Sequence, residues 1–368
     1  MSASRIAAFL RHAAVAGVGG ACVVGVVGTA RAQSTGAPSS VGASASPGTD
    51  IGSSGAAPAR GAVVEKQLTD LPEDARVVPR GPTIPDLEHT AAEASFEQTI
   101  ASVKPKPGGG VGGVPTDDTS LTSHLFEMDF EIPVVRQTFY VGGQWAFAAA
   151  RSPAQEDARF IAGQPEVFAR VVHPGPHDDF ALGAGLGLMA PIVTYDDLDD
   201  SKRVQTATTS ALVGIVRPWD LSMFLDRRVT ARPWIDIRVG RHEFIAQVRQ
   251  GLDVAMRSGV PSSTSATGAF SGEVGDVELI SITSLYLGWQ PTRELAVGVE
   301  AWDVYLLKTQ LPISDRDRTV FALSPGFRFF YRWVEPGVSL LFPVGSPLLG
   351  AVDNYVALRI DMRVWFDR

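Results

Sequence analysis

The chain has 368 residues, 45% of them hydrophobic and 20% charged, with a mean hydropathy of +0.09. That excludes a wholly disordered protein, and no apolar run is long enough for a helical membrane protein. A net charge of −8 with a sequence pI of about 5.3 argues against a nucleic-acid binder, and a single cysteine excludes a disulfide scaffold or a Cys-based zinc site. No cofactor fingerprint is present, so no cofactor is expected.

Residues 1–32 read as a secretory signal peptide. Arg5 and Arg11 precede the uncharged Ala, Val and Gly run from Ala13 to Thr29, and Ala30-Arg31-Ala32 offers a small-x-small cleavage site. Cleavage after Ala32 removes Cys22, the only thiol, together with three arginines and no acid. Residues 33–120 then read as a low-complexity periplasmic linker. Between Gln33 and Arg60 nearly every residue is Gly, Ala, Ser, Pro or Thr, too little apolar surface to offset chain entropy. Within the linker, 86–103 reads as a short helix, with Leu87, Ala91, Phe96 and Ile100 loosely on one side, either idle in the tail or acting as a plug.

After Leu121 the pattern changes to period two. Phe126, Met128, Phe130 and Ile132 alternate with Glu127, Asp129 and Glu131. At the C-terminus Val356, Leu358, Ile360, Met362, Val364 and Phe366 alternate with Arg359, Asp361 and Arg363. Successive strand residues face opposite ways, so each segment has an oily face and a polar one. Strands are expected at 122–132, 137–150, 165–172, 179–193, 204–216, 229–240, 243–256, 276–290, 295–307, 319–331, 336–344 and 352–366. Twelve strands require a turn at Arg241-His242, where the apolar parity switches. A bulge there gives eleven and demands a further strand upstream. The twelve-strand scheme leaves the long 151–164 connection on the side where turns should be short. Trp219, Trp234, Trp289, Trp302, Trp333, Trp365 and Tyr331 lie near strand ends, as interfacial girdles do.

The signal peptide, the alternating segments and the amphipathic terminal strand from Tyr355 to Phe366 together resemble the Gram-negative outer-membrane β-barrel superfamily. The resemblance covers 121–368. It implies an all-β fold, a closed antiparallel transmembrane barrel of about twelve strands, in contact with outer-membrane lipid. It also implies that the terminal strand is read by the barrel-assembly machinery, although Asp367 and Arg368 follow the aromatic that normally ends that signal. A soluble β-sandwich shares the alternation. In a barrel the polar face becomes the lumen: Glu127, Asp129, Glu131, Arg170, Arg232, Asp236, Arg238, Arg328, Arg359, Asp361 and Arg363.

Arg328, Arg359 and Arg363 then form either a basic ladder guiding anions or pairs with Asp361 and the other lumen acids. Ala181, Gly183, Gly185 and Gly187 share one face, leaving room for a plug or permitting curvature. Asp196, Asp197, Asp199 and Asp200 read as a solvated loop more readily than a calcium site, and His173 and His177 as a turn more readily than a metal site. The expected function is a passive channel for small solutes with an anion bias. A structural barrel is the alternative, and a membrane hydrolase using His124 or His242 ranks last.

Overall fold

The computed structural model describes residues 91–106, 110–111, 114–115, 121–151, 159–175, 180–192, 200–241, 243–258, 277–309, 313–350 and 352–366. The chain divides into two units, Met1–Asp70 and Leu71–Arg368, and every described residue belongs to the second. The expectations for the signal peptide and for residues 33–90 fall outside the described residues.

Twelve long strands appear among the described residues: β1 (Ala92–Pro105), β2 (Leu121–Val135), β3 (Phe139–Arg151), β4 (in two pieces, Arg159–Ala162 and Glu166–Pro174), β5 (Phe180–Met189), β6 (Arg228–Arg241), β7 (Phe244–Arg257), β8 (Val277–Trp289), β9 (Leu295–Lys308), β10 (Thr319–Phe329), β11 (Val334–Val344) and β12 (Val352–Phe366). Each pairs antiparallel with its neighbours in sequence. The ring closes through β1, which pairs with β2 on one side and with β12 on the other, Ala92 opposite Phe366. Closure leaves no sheet edge, the only arrangement of strands that satisfies every backbone amide in hydrocarbon.

The oily parity faces outward. Phe126, Phe130, Ile132, Val356, Ile360, Met362 and Phe366 are all exposed, while Glu127, Glu131, Arg359, Asp361 and Arg363 on the other parity are buried. Charges at the centre and apolar side chains on the outside reverse the order of a soluble β-sandwich. This is the surface of a barrel solvated by acyl chains.

Three expectations are corrected. Residues 92–105 form a strand, not part of a helix over 86–103, so the barrel begins 29 residues before Leu121 and the linker does not extend to 120. The i, i+4 spacing of Phe96 and Ile100 mimicked a helix because the outward face of β1 is otherwise small or polar. The period-two signal lies in its buried face, Glu93, Ser95, Glu97, Thr99 and Ala101. Conversely, 204–216 is not a strand. It lies in helix α1 (Asp200–Val216), which continues through Arg217 into a 3-10 helix (Pro218–Phe224). The strand total of twelve stands with one member exchanged.

The exchange also removes the difficulty over 151–164. With β1 in place, the connections on the side of the termini are 136–138, 175–179, 242–243, 290–294 and 330–333. The longer ones, 106–120, 152–158, 190–227, 258–276, 309–318 and 345–351, all lie at the other end. Short connections at one end and long ones at the other are the pattern of outer-membrane barrels, and the first and last strands of this ring, β1 and β12, begin and end at the short-turn end. At that rim Phe244 stacks on Trp289 with centroids 6.2 Å apart, and Tyr331 and Trp333 are exposed.

Candidate functional site: the occupied lumen

Helix α1 and the 3-10 turn enter from the loop end and fill the outer half of the lumen. Every residue from Thr206 to Phe224 is buried. Around the helix the inward wall is apolar: Leu212, Ile215 and Val216 pack into one core with Val103, Leu121, Val304, Leu306, Leu341 and Val352. These wall residues sit at the loop ends of their strands. A helix touched on all sides has no polar stripe, which is why its uncharged run resembled a buried strand.

Below the insert the lumen is polar. Arg217, at the junction of α1 and the 3-10 turn and fully buried, donates to Glu97 of β1 and to Glu127 of β2, and its Nε lies 2.7 Å from Asp220 Oδ2. Glu97 and Glu127 are direct cross-strand partners, an arrangement that repels unless a cation bridges it. The second anchor is Arg232 of β6. Its Nε and Nη2 grip the two oxygens of Asp253 at 2.6 and 2.7 Å, and Nη2 also donates to the Trp219 carbonyl at 3.0 Å and to Ser222 Oγ at 2.9 Å. Gln164, in the break between the two pieces of β4, donates to the Leu225 carbonyl at 2.6 Å. The insert is therefore tied to three sectors of the wall.

Of the two readings of Arg328, Arg359 and Arg363, the structure shows pairing with lumen acids rather than a ladder. Arg328 donates to Asp361 and to the Glu335 carbonyl. Arg359, fully buried, binds Glu97 through Nη2 at 2.8 Å and Glu300 through Nη1 at 3.0 Å. Arg363 lies 3.9 Å from Glu93. Elsewhere Arg170 forms a two-pronged pair with Glu131 at 2.5 and 2.7 Å, and Arg249 pairs with Asp236 at 2.7 and 3.1 Å. Arg238 is buried on the inward face of β6.

Between these groups lies a cavity of about 130 Å³. Of the residues picked out from sequence, Glu127, Asp129, Glu131, Arg170, Arg232 and Arg363 line it, whereas Asp236, Arg238, Arg328, Arg359 and Asp361 do not. Sequence reasoning missed Glu93 and Glu97, in the segment read as a helix, Arg217 and Asp220, just beyond the segment misread as a strand, and Glu166 and Arg249, on strands it placed correctly. It also put four tryptophans on the wrong side of the wall: Trp219, Trp234, Trp302 and Trp365 are all buried, not interfacial, while Trp289 and Trp333 face outward. Strand parity carried the signal for three of them. Trp234 shares a face with Arg232 and Asp236, Trp302 with Glu300, and Trp365 with Arg363.

The small residues of β5 serve the lumen. A Cβ on Gly185 would collide with the Trp234 ring, and one on Gly187 with the Glu166 side chain, so their absence makes room for wall side chains rather than for the insert. Gly185→Val is expected to destabilise the barrel by about 1–3 kcal/mol through overpacking, read as a lower urea midpoint with an altered Trp emission maximum.

Asp196, Asp197, Asp199, His177 and His242 lie outside the described residues; Asp200 opens α1 and His173 is exposed on β4. His124 has the outward parity of β2, away from the lumen groups. Among the described residues no group of three or more His, Cys, Asp or Glu side chains is placed to hold a metal ion.

No known family model matches the chain, and no curated protein is detectably similar in sequence. Solved structures do match in fold. The COG4313 outer membrane channel from Pseudomonas putida F1 superposes with a TM-score of 0.54 at 11% identity, covering 80% of this chain and 99% of that one. The transport unit of the autotransporter AIDA-I from Escherichia coli gives 0.43 at 11% identity, over 77% and 94% of the two chains. The KdgM porin in complex with disordered oligogalacturonate gives 0.39 at 7%, over 75% and 99%. At 11% identity the likeness to the COG4313 channel is one of fold, a closed β-barrel.

Proposed function

We propose that the protein is an outer-membrane channel for small solutes whose resting lumen is closed by the segment 200–224. The supporting observation is the division of the interior. A barrel closed for purely mechanical reasons gains most from apolar filling, as in its outer half. Buried ion networks often gain nothing over such filling, yet here they surround a cavity enclosed by the strands. A polar lumen beneath a discrete insert suits a path that opens when the insert moves.

Selectivity should follow the wall charges. An anion-guiding ladder needs several free guanidinium groups, but Arg328 and Arg359 are taken up by Asp361, Glu97 and Glu300, which leaves only Arg363 of the three facing the cavity. Seven acidic side chains and four arginines line the cavity. We therefore expect a weak cation preference in place of the anion bias. In planar bilayers under a salt gradient, the full-length protein should give small stepwise currents with a cation-sign reversal potential. An anion-sign potential would refute the selectivity, and a tight seal would identify a structural barrel.

We also propose that residues 1–32 direct export, with cleavage after Ala32, and that the segment from Tyr355 to Phe366 is the signal read by the barrel-assembly machinery. This strand pairs with β1 to make the last seam of the ring.

A further inference from the structure

The charges around the lumen cavity do not balance. Arg217 and Arg359 reach the lining acids from behind the cavity wall, and Arg359 also binds Glu300. Counting them with the lining groups leaves eight carboxyl groups against six guanidinium groups. The shortfall has an address. Asp129, half-buried at the cavity, accepts a hydrogen bond from Ser95 and has no arginine or lysine within ion-pairing distance among the described residues. Glu93, only 3% exposed, lines the same cavity in a loose pair with Arg363, whose Nε stands 3.9 Å away; the Glu93 Oε2 and the Arg363 Nε and Nη1 all lack a hydrogen-bond partner, so this corner of the cavity has room for a further polar group. Excess negative charge in a low-dielectric interior is held only if a proton or a cation compensates it.

Other sectors of the lumen wall supply a different chemistry. Phe168 of β4, Trp234 of β6 and Trp302 of β9 line the cavity together with Trp219 of the insert. Phe168 meets Trp234 edge-on at 5.9 Å, and Trp219 stacks on Trp302 at 4.3 Å. Such rings attract cations through their π faces, and the Arg249 guanidinium already sits 5.2 Å from the Trp234 centroid. Carboxylates alone suit any cation. Carboxylates facing aromatic rings favour one with an apolar shell.

We propose that this cavity is a binding site for a small organic cation, an alkylammonium or quaternary ammonium group, with Glu93 and Asp129 as counter-charge and Trp234 and Trp219 as walls. The proposal rests on the channel reading only for the route by which the ligand arrives.

The test uses the full-length protein in detergent, titrated with tetramethylammonium chloride at constant ionic strength and followed by calorimetry and Trp fluorescence. Sodium chloride and the neutral isostere tert-butanol serve as controls. Saturable tetramethylammonium binding is expected, weakened at least about tenfold in Asp129→Asn and in Glu93→Gln, with heat-modifiable migration verifying that each variant is folded. Should either fail to fold, Trp234→Leu should lower tetramethylammonium affinity without altering the response to sodium. Absence of saturable binding, equal competition by sodium, or equal binding of tert-butanol would each overturn the proposal. Because binding is read at equilibrium without a membrane, a sealed bilayer would sink the channel reading and leave this result standing, and the reverse holds equally.

Discussion

Replacing residues 193–224 with a short Gly/Ser linker is expected to raise single-channel conductance by about an order of magnitude or more. The wall does not need the insert in order to close: β1 to β12 form a complete hydrogen-bonded ring without a contribution from 200–224. What the insert supplies is filling. Its removal uncovers Leu121, Val304, Leu341 and the Trp302 ring at the loop end, so the truncated barrel should also lose heat-modifiable migration at a lower temperature than the parent. The two readouts separate two roles. A large conductance rise with a modest loss of stability means that the segment is a closure. Unchanged conductance with a large loss of stability means that it is core, and the channel reading then fails.

The sequence made the barrel legible because a lipid-facing wall must alternate, and alternation survives wherever the inward residue is polar. The terminal strand is the clearest case: Arg359, Asp361 and Arg363 stand against Leu358, Ile360 and Met362, and the structure buries the first set and exposes the second. Legibility fails where one face loses its contrast. The outward face of β1 offers only Phe96 and Ile100 as large apolar residues, mixed with Gln98, Ser102 and Lys104, so its buried acids passed for a polar helix face. The insert fails for the opposite reason. Thr206, Ala207, Thr208, Thr209, Ser210 and Ala211 are buried on every side, and neither period survives. The pairing within the lumen was out of reach for a third reason. Glu97 meets Arg217 and Arg359 at separations of 120 and 262 residues, and nothing local encodes such partners.

Arg217→Met is expected to cost about 3–5 kcal/mol, the penalty for stripping the counter-charge from buried acids rather than the net worth of the pairs. Methionine keeps the length and apolar stem of the side chain, so the packing against Trp219 is largely retained, while Glu97, Glu127 and Asp220 lose their shared cation. Glu97 still holds Arg359, whereas Glu127 keeps only the amide of Gln144. Adding Glu127→Gln should therefore restore part of the loss, since it removes one of the two carboxylates, Glu127 and Asp220, whose only ion-pair partner is Arg217. Arg217→Lys should fall between the two: an ammonium keeps the charge but cannot spread three directed contacts over three acids. Urea midpoints in detergent would rank the four proteins, and current traces would add what stability alone does not. If Arg217 latches the insert to the β1–β2 wall, Arg217→Met should show frequent openings at a voltage where the parent stays shut, and Glu127→Gln should quieten them only in part, because the bridge to Glu97 remains absent. Equal stability of Arg217→Met and its parent would mean that these acids are already neutral without the arginine, and the latch would have to be abandoned.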